Sequence, residues 1–185
     1  MHYVSGNSRS LEPAILAGQA RYRRKIFIER LGWELHSHDE MEFDQFDRDD
    51  TIYVVSHAMN GDVVGTARLL PTTGPYLLAE VFPELFHGKE LPCSEDVWEL
   101  SRFAAMDLSL PSTIAAPLLQ FSSPIAVDLL RQTIACAADR GAKRLVTVSP
   151  LGVERLLRKA GFRAQRAGAP ISINGRPIFA CWIHV

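Results

Sequence analysis

The stretch VWELSRF, residues 97–103, restricts most strongly what this chain can become. Val97, Trp98, Leu100 and Phe103 read as a buried strand, yet Glu99 and Arg102 lie among them. Ionised groups are almost never fully buried without a partner, because desolvating each one is costly. Strict strand alternation puts Glu99, Ser101 and Phe103 on one face and Trp98, Leu100 and Arg102 on the other. Glu99 and Arg102 therefore meet only where the strand is bulged or splayed, and such distortions often sit beside active sites.

The rest of the chain has enough apolar material to bury such a strand: 185 residues, 47% of them hydrophobic, suit one domain spanning residues 1–185. With 20 Lys and Arg against 21 Asp and Glu, no global basic field argues for nucleic acid. Cys93, Cys136 and Cys181 are scattered and lack C-x-x-C spacing, which fits reduced thiols packed as small hydrophobes better than disulfides or zinc. The N-terminal residues lack a basic segment followed by an apolar one, and no run is long enough for a membrane span. The expected setting is the cytoplasm, with no membrane insertion.

Periodicity orders the elements. Ile15, Tyr22, Ile26 and Leu31 recur at helical spacing, with Ser10 and Pro13 as start signals and Gly32 as the stop. The acidic stretch WELHSHDEMEFDQFDRDD reads as a long surface loop. Two strand-like runs flank Asn60-Gly61, a hairpin signal. Residues 79–88 read as a short helix or irregular, and VWELSRFAAM as a strand. Ser123 and Pro124 open a helix that stops at Gly141. KRLVTVS is a strand, LGVERLLRKAG a short helix, and Asn174-Gly175 turns a terminal hairpin. This order implies an α/β chain: a single layered domain with a mixed, largely antiparallel sheet flanked by helices.

Several residues can carry chemistry. Arg23 and Phe27 are four apart on the first helix and share a face. Asp44 and Asp47 lie in DQFD, downstream of Trp33; no EF-hand spacing accompanies them, so no metal site is expected. His36 and His38 read as surface histidines. Together the words RYRRKIFIERLGWE, DQFDRDDTIYVV, GTARLLPT, YLLAEVFPEL and VWELSRFAA closely resemble the acyl-homoserine-lactone synthases, the LuxI-type autoinducer synthases of bacterial quorum sensing. Order and spacing match from the first helix to FACWIHV; members of that family often run further at the C-terminus.

The resemblance implies a fold like that of the N-acetyltransferases (GNAT-like), and two substrates, S-adenosylmethionine and an acyl-acyl carrier protein, with no separate cofactor. The family's characteristic positions fall at Arg23, Phe27, Trp33, Asp44, Asp47, Arg68, Glu99 and Arg102. Glu99 is the implied base for the substrate amine, and Ser101 a candidate donor to the oxyanion. Arg23 or Arg102 is expected to grip the methionyl carboxylate, and Trp33 and Phe27 to face the sulfonium. Asp44, Asp47 and Arg68 are expected to form a buried ion-pair network beside it. Phe82, Leu100, Phe103, Thr147 and Leu157 are the expected acyl-chain lining, with Thr147 either reading a 3-oxo group or satisfied by backbone. Lys143, Arg144, Arg155, Arg158 and Lys159 are the expected docking surface for an acidic carrier protein. Two rival readings remain: a CoA-dependent N-acyltransferase of the same fold, and a sensor that binds S-adenosylmethionine or an acyl lactone without turnover. Residues 106–121 contain no glycine, unlike the glycine-rich turn that holds a CoA pyrophosphate, and a sensor has no need of Glu99.

Overall fold

The computed structural model describes residues 1–109 and 123–185. The chain opens with a strand the sequence reading lacked, β1 (His2–Gly6), and then enters α1 (Pro13–Arg23). Pro13 begins α1 because its missing N–H is no loss in a first turn; Ser10 does not cap the helix but bonds Asn7. The helix continues as a π-helical segment over Arg24–Arg30 and stops before Gly32, whose φ of 64° suits a residue without Cβ. The stretch read as a plain loop contains a small hairpin, β2 (Ser37–His38) and β3 (Met41–Glu42), turned by Asp39 and Glu40 at φ 49° and 60°.

β4 (Ile52–His57) and β5 (Val63–Pro71) form the expected hairpin, and Gly61 takes a φ of 89° in the loop between them. α2 (Leu77–Val81) and a short 3-10 turn (Pro83–Phe86) lead to β6 (Val97–Ala105). α3 (Pro124–Ala138) is capped by Ser123, whose hydroxyl accepts from the Ala126 amide at 3.1 Å, a bond that typically contributes about 1 kcal/mol. β7 (Arg144–Pro150), α4 (Val153–Lys159), β8 (Ala164–Arg166), β9 (Ile171–Ile173) and β10 (Arg176–His184) complete the chain. Asn174 and Gly175, at φ 52° and 73°, turn β9 into β10 as Asn-Gly pairs do.

One eight-stranded sheet carries these strands in the order β1-β4-β5-β6-β7-β10-β8, with β9 on β10. All pairs are antiparallel except β6 with β7. Alternation along β5 sorts the two faces. Ala67 and Leu69 pack in the core with Leu129 and Leu130 of α3 and Leu157 of α4. Leu70 packs on the other face with Leu78 of α2, while Tyr22, Ile26 and Phe27 cover Ala104 on that side. Arg68 shares the parity of Leu70 and so points to the α1 and α2 side.

Two irregularities of β6 position everything that follows. Arg68 pairs with Ser101 and Thr66 with Ala104, so Ala67 faces two residues, Arg102 and Phe103. This is a bulge, and Arg102 within it has a φ of 49°. The bulge corrects the strict alternation expected from sequence: Arg102 joins Ser101 and Glu99 on the α1 side, and Phe103 joins Leu100 on the α3 side. The second irregularity is a splay. β6 pairs with β7 only at Val97–Arg144, Trp98–Leu145 and Glu99–Val146, after which the two strands part. A gap through the sheet therefore begins at Glu99.

Candidate active site

On the α1 face, three arginines and three carboxylates form a closed ring of alternating charge. Arg23 on α1 gives Nε to Glu42 at 2.5 Å and both Nη atoms to Asp47 at 2.7 and 2.9 Å. Glu42 also accepts from Arg102, whose Nη2 lies 3.0 Å from Oε1 and 2.7 Å from Asp44. Asp44 meets Arg68 at 2.5 Å, and Arg68 returns to Asp47 at 3.3 Å. Phe46, between the two aspartates, lies under the Arg68 guanidinium at 5.7 Å. Arg23, Arg68 and Glu42 are fully shielded from solvent.

Burial alone would raise the Asp47 carboxyl, but Arg23 and Arg68 outweigh it and hold Asp47 far below the usual carboxylate range. Tyr53 gives its hydroxyl to Asp47 at 2.9 Å, and burial together with that carboxylate pushes the phenol well up. Breaking one member of such a network costs about 3–5 kcal/mol, yet an apolar core of the same volume is often no less stable. Stability by itself does not explain a six-charge ring. A left-handed φ at Arg102 adds strain of about 1–3 kcal/mol, a kind of cost that concentrates at functional sites.

The ring settles the two arginines differently. Each nitrogen of the fully buried Arg23 guanidinium gives one hydrogen bond to Glu42 or Asp47, which favours Arg102 over Arg23 as the group expected to grip a substrate carboxylate. Arg102 uses Nε and Nη2 and keeps Nη1 outside these pairs, with its guanidinium 5.7 Å above the Phe27 ring. Phe27 in turn stacks on Trp33 at 4.9 Å, one ring buried and one at the surface. The π-helical turn places Phe27 there. Arg68 gives Nε to the Ser101 hydroxyl at 3.0 Å, and its Nη2 is buried with no partner among the described residues. Because the Ser101 oxygen accepts from Arg68, its proton is left to be donated elsewhere.

Glu99 does not pair with Arg102, although the strand is bulged. Its oxygens accept from the Leu77 amide at 3.0 Å and the Leu78 amide at 2.6 Å, where α2 begins. Burial pushes the Glu99 carboxyl up to about 7, against the lowering pull of the Leu78 amide and Arg68. A carboxyl poised there can take a proton near neutral pH, and it sits where the β6–β7 gap opens.

The five expected acyl-lining residues do not form one wall. Leu100, Phe103 and Leu157 belong to the core on the α3 side, and Thr147, two residues beyond Leu145 along β7, projects the same way. Phe82 packs on the opposite face with Val146 and Val148. The gap passes between the faces, which alternation along single strands does not reveal. Among the described residues the Thr147 hydroxyl reaches only the Val148 carbonyl, at 3.4 Å.

Of the expected docking cations, Arg155, Arg158 and Lys159 are exposed on α4, opposite its buried Leu157. Lys143 pairs with Asp96 at 3.2 Å, Arg144 lies 4.8 Å above the Trp182 ring, and Arg158 stands 3.7 Å from Glu154. Cys93 is exposed, unlike the packed Cys136 and Cys181, and no two of the three cysteines are bonded. His36 and His38 are exposed as expected. Most of residues 106–121, whose lack of glycine argued against a CoA turn, lies outside the described residues.

Sequence reasoning missed Glu42 and Tyr53. The signal for Glu42 was present: Met41 and Phe43 alternate with Glu42 and Asp44, which a strand sends to one side.

A family model described as autoinducer synthase matches residues 9–185. An acyl-homoserine-lactone synthase of Acinetobacter nosocomialis is 50% identical over 185 residues, covering 100% of each chain. Among solved structures, TofI in a ternary complex with an inhibitor and MTA aligns over 100% of this chain and 91% of that one, at 45% identity and a TM-score of 0.83. BjaI, described as a CoA-dependent acyl-homoserine lactone synthase with SAM and isopentyl-CoA, aligns over 100% and 82% at 26% identity and a TM-score of 0.81. The fold alone extends to a putative N-acetyltransferase from Lactobacillus plantarum, at a TM-score of 0.62 and 16% identity.

Proposed function

The chain belongs to the autoinducer synthase family and is an acyltransferase of the acyl-homoserine-lactone synthase kind, and from that premise we propose a two-step reaction on S-adenosylmethionine. In the first step its α-amine attacks the thioester of an acyl-acyl carrier protein, forming the amide and releasing the carrier thiol. In the second the methionyl carboxylate attacks its own γ-carbon, the carbon–sulfur bond breaks, and methylthioadenosine leaves with the sulfonium charge neutralised. The products are an acyl-homoserine lactone, methylthioadenosine and the free carrier.

One observation carries this reading: Glu99, buried and poised near neutrality, faces the mouth of a gap between parting strands. An α-amine arrives protonated below roughly pH 8, so attack needs a base beside it. Glu99, directly or through a water, takes that proton. The Ser101 hydroxyl and the buried Nη2 of Arg68 are donors available to the developing oxyanion or to the substrate carboxylate. Arg102 grips the methionyl carboxylate through its remaining Nη1 and holds it in line with the γ-carbon. Phe27 and Trp33 offer ring faces to the sulfonium, an attraction of about 0.5–2 kcal/mol. A medium acyl chain threads the gap toward Leu100, Phe103 and Leu157, each buried CH₂ contributing about 0.8 kcal/mol.

A second donor is supported by one finding, the likeness to a CoA-dependent synthase. Incubation with S-adenosylmethionine and matched acyl-carrier and acyl-CoA donors of several lengths, followed by mass analysis, decides between them. The reading expects lactone and methylthioadenosine in equal amounts, faster with the carrier protein. Faster turnover with CoA would replace the donor, and acylation without methylthioadenosine would reduce the enzyme to a plain N-acyltransferase.

A further inference from the structure

Glu42 has no role in the reaction as written above, yet it is the carboxylate that joins α1 to the β6 bulge. It is fully buried, and its two oxygens serve Arg23 Nε at 2.5 Å and Arg102 Nε and Nη2 at 3.1 and 3.0 Å. Asp44 touches Arg102 but not Arg23, and Asp47 touches Arg23 but not Arg102. Glu42 is therefore the one ring member common to both among the described residues. It is delivered by a hairpin whose turn residues, Asp39 and Glu40, both hold positive φ.

We propose that Glu42 is a positioning residue: anchored on Arg23, it fixes two of the three Arg102 nitrogens and so aims Nη1 at the carboxylate of S-adenosylmethionine. The inference rests on the reading of Arg102 as the carboxylate grip. A guanidinium on a bulged residue has many rotamers, and a carboxylate fork with an immobile far end selects one of them. Glu42→Gln presents an oxygen and an NH₂ in place of two oxygens, so one of the two arginines meets a donor instead of an acceptor. Glu42→Asp keeps the charge but is one methylene too short to reach both.

The test separates aim from folding by using two ligands. S-adenosylmethionine carries the methionyl carboxylate, whereas methylthioadenosine shares its adenosine and sulfur and lacks that group. Calorimetric Kd values for both ligands are measured with the wild-type protein, Glu42→Gln and Glu42→Asp, with circular dichroism as the check on fold. The proposal expects each folded variant to bind S-adenosylmethionine at least about tenfold more weakly, as loss of one hydrogen bond to a charged group implies, and methylthioadenosine nearly unchanged. Equal weakening of both ligands, or of neither, overturns it while leaving the proposed reaction intact. Should Glu42→Gln not fold, Glu42→Asp decides by the same comparison. A wild-type protein that binds neither ligand overturns the proposed reaction, and the inference with it.

Discussion

Glu99 is asked to do two things that favour opposite protonation states. Its bonds to the Leu77 and Leu78 amides favour the carboxylate, and its burial favours the neutral acid. Burial wins, leaving the group at about 7, above the 4.5 of a free glutamate. Stability is linked to this shift. A carboxyl raised on folding leaves stability intact below pH 4.5 and lowers it from there to about pH 7, because over that range the unfolded chain gives up a proton that the folded state still holds. The full loss is about 3 kcal/mol, from 1.36 kcal/mol per pH unit. Glu99→Gln cannot ionise. Its stability relative to the wild type, read from denaturant melts, should therefore rise by up to that amount between pH 4.5 and 7.5, and a difference that is flat with pH would mean that Glu99 is not held near 7. The residue types at Arg23, Phe27, Trp33, Asp44, Asp47, Arg68, Glu99 and Arg102 were legible because matched words carry them. Glu42 was signalled only by its alternation with Met41 and Phe43, a short pattern that the solvated carboxylates of the same acidic stretch mask.

Single elements were legible wherever local signals set them. Ser123-Pro124 fixed the start of α3, and Asn174-Gly175 the last turn, since both act through a few adjacent residues. The π-helical turn and the bulge at Arg102 were not, because each depends on contacts distant in sequence, and the β2–β3 hairpin was not, because its turn is made by Asp39 and Glu40 without the usual glycine. The parting of β6 and β7 likewise depends on a pairing between residues 47 positions apart. Two predictions belong to elements at that gap. Among the described residues the Thr147 hydroxyl makes one marginal 3.4 Å bond to backbone, which leaves it able to serve a substrate carbonyl. Thr147→Val keeps the shape and deletes the hydroxyl, so an enzyme that reads 3-oxo groups there should lose its kcat/KM preference for them over unsubstituted donors of equal length. An unchanged ratio makes Thr147 a wall residue. On α4, Arg155 and Lys159 stand exposed on the helix whose Leu157 packs in the core with Leu100. Reversing both charges should raise KM for the acidic carrier protein several-fold at low salt, less at high salt, and leave KM for S-adenosylmethionine unaltered. Equal changes in both KM values would place the carrier elsewhere.

At the scale of the whole molecule, the near balance of 20 basic and 21 acidic residues hides a strongly local arrangement. The ring draws Arg23 from α1, Glu42 from β3, Asp44 and Asp47 from the segment after it, Arg68 from β5 and Arg102 from β6. Its charges cancel, so the proposed cationic substrate would meet no net repulsion beside it, and its donors are already oriented by their partners in the ring. α1 thereby closes one face of the sheet over the ring while α3 and α4 build the apolar core on the other. The central claim is that Glu99 takes the amine proton where these two halves meet. The pH dependence of kcat/KM for S-adenosylmethionine, at saturating acyl donor, tests it most directly in the wild type and in Glu99→Gln. The wild-type rate should rise through a limb near pH 7, and the variant should be slower by about 10² to 10⁴ with that limb gone. A variant with near-normal kcat, or one that keeps the limb, would contradict it.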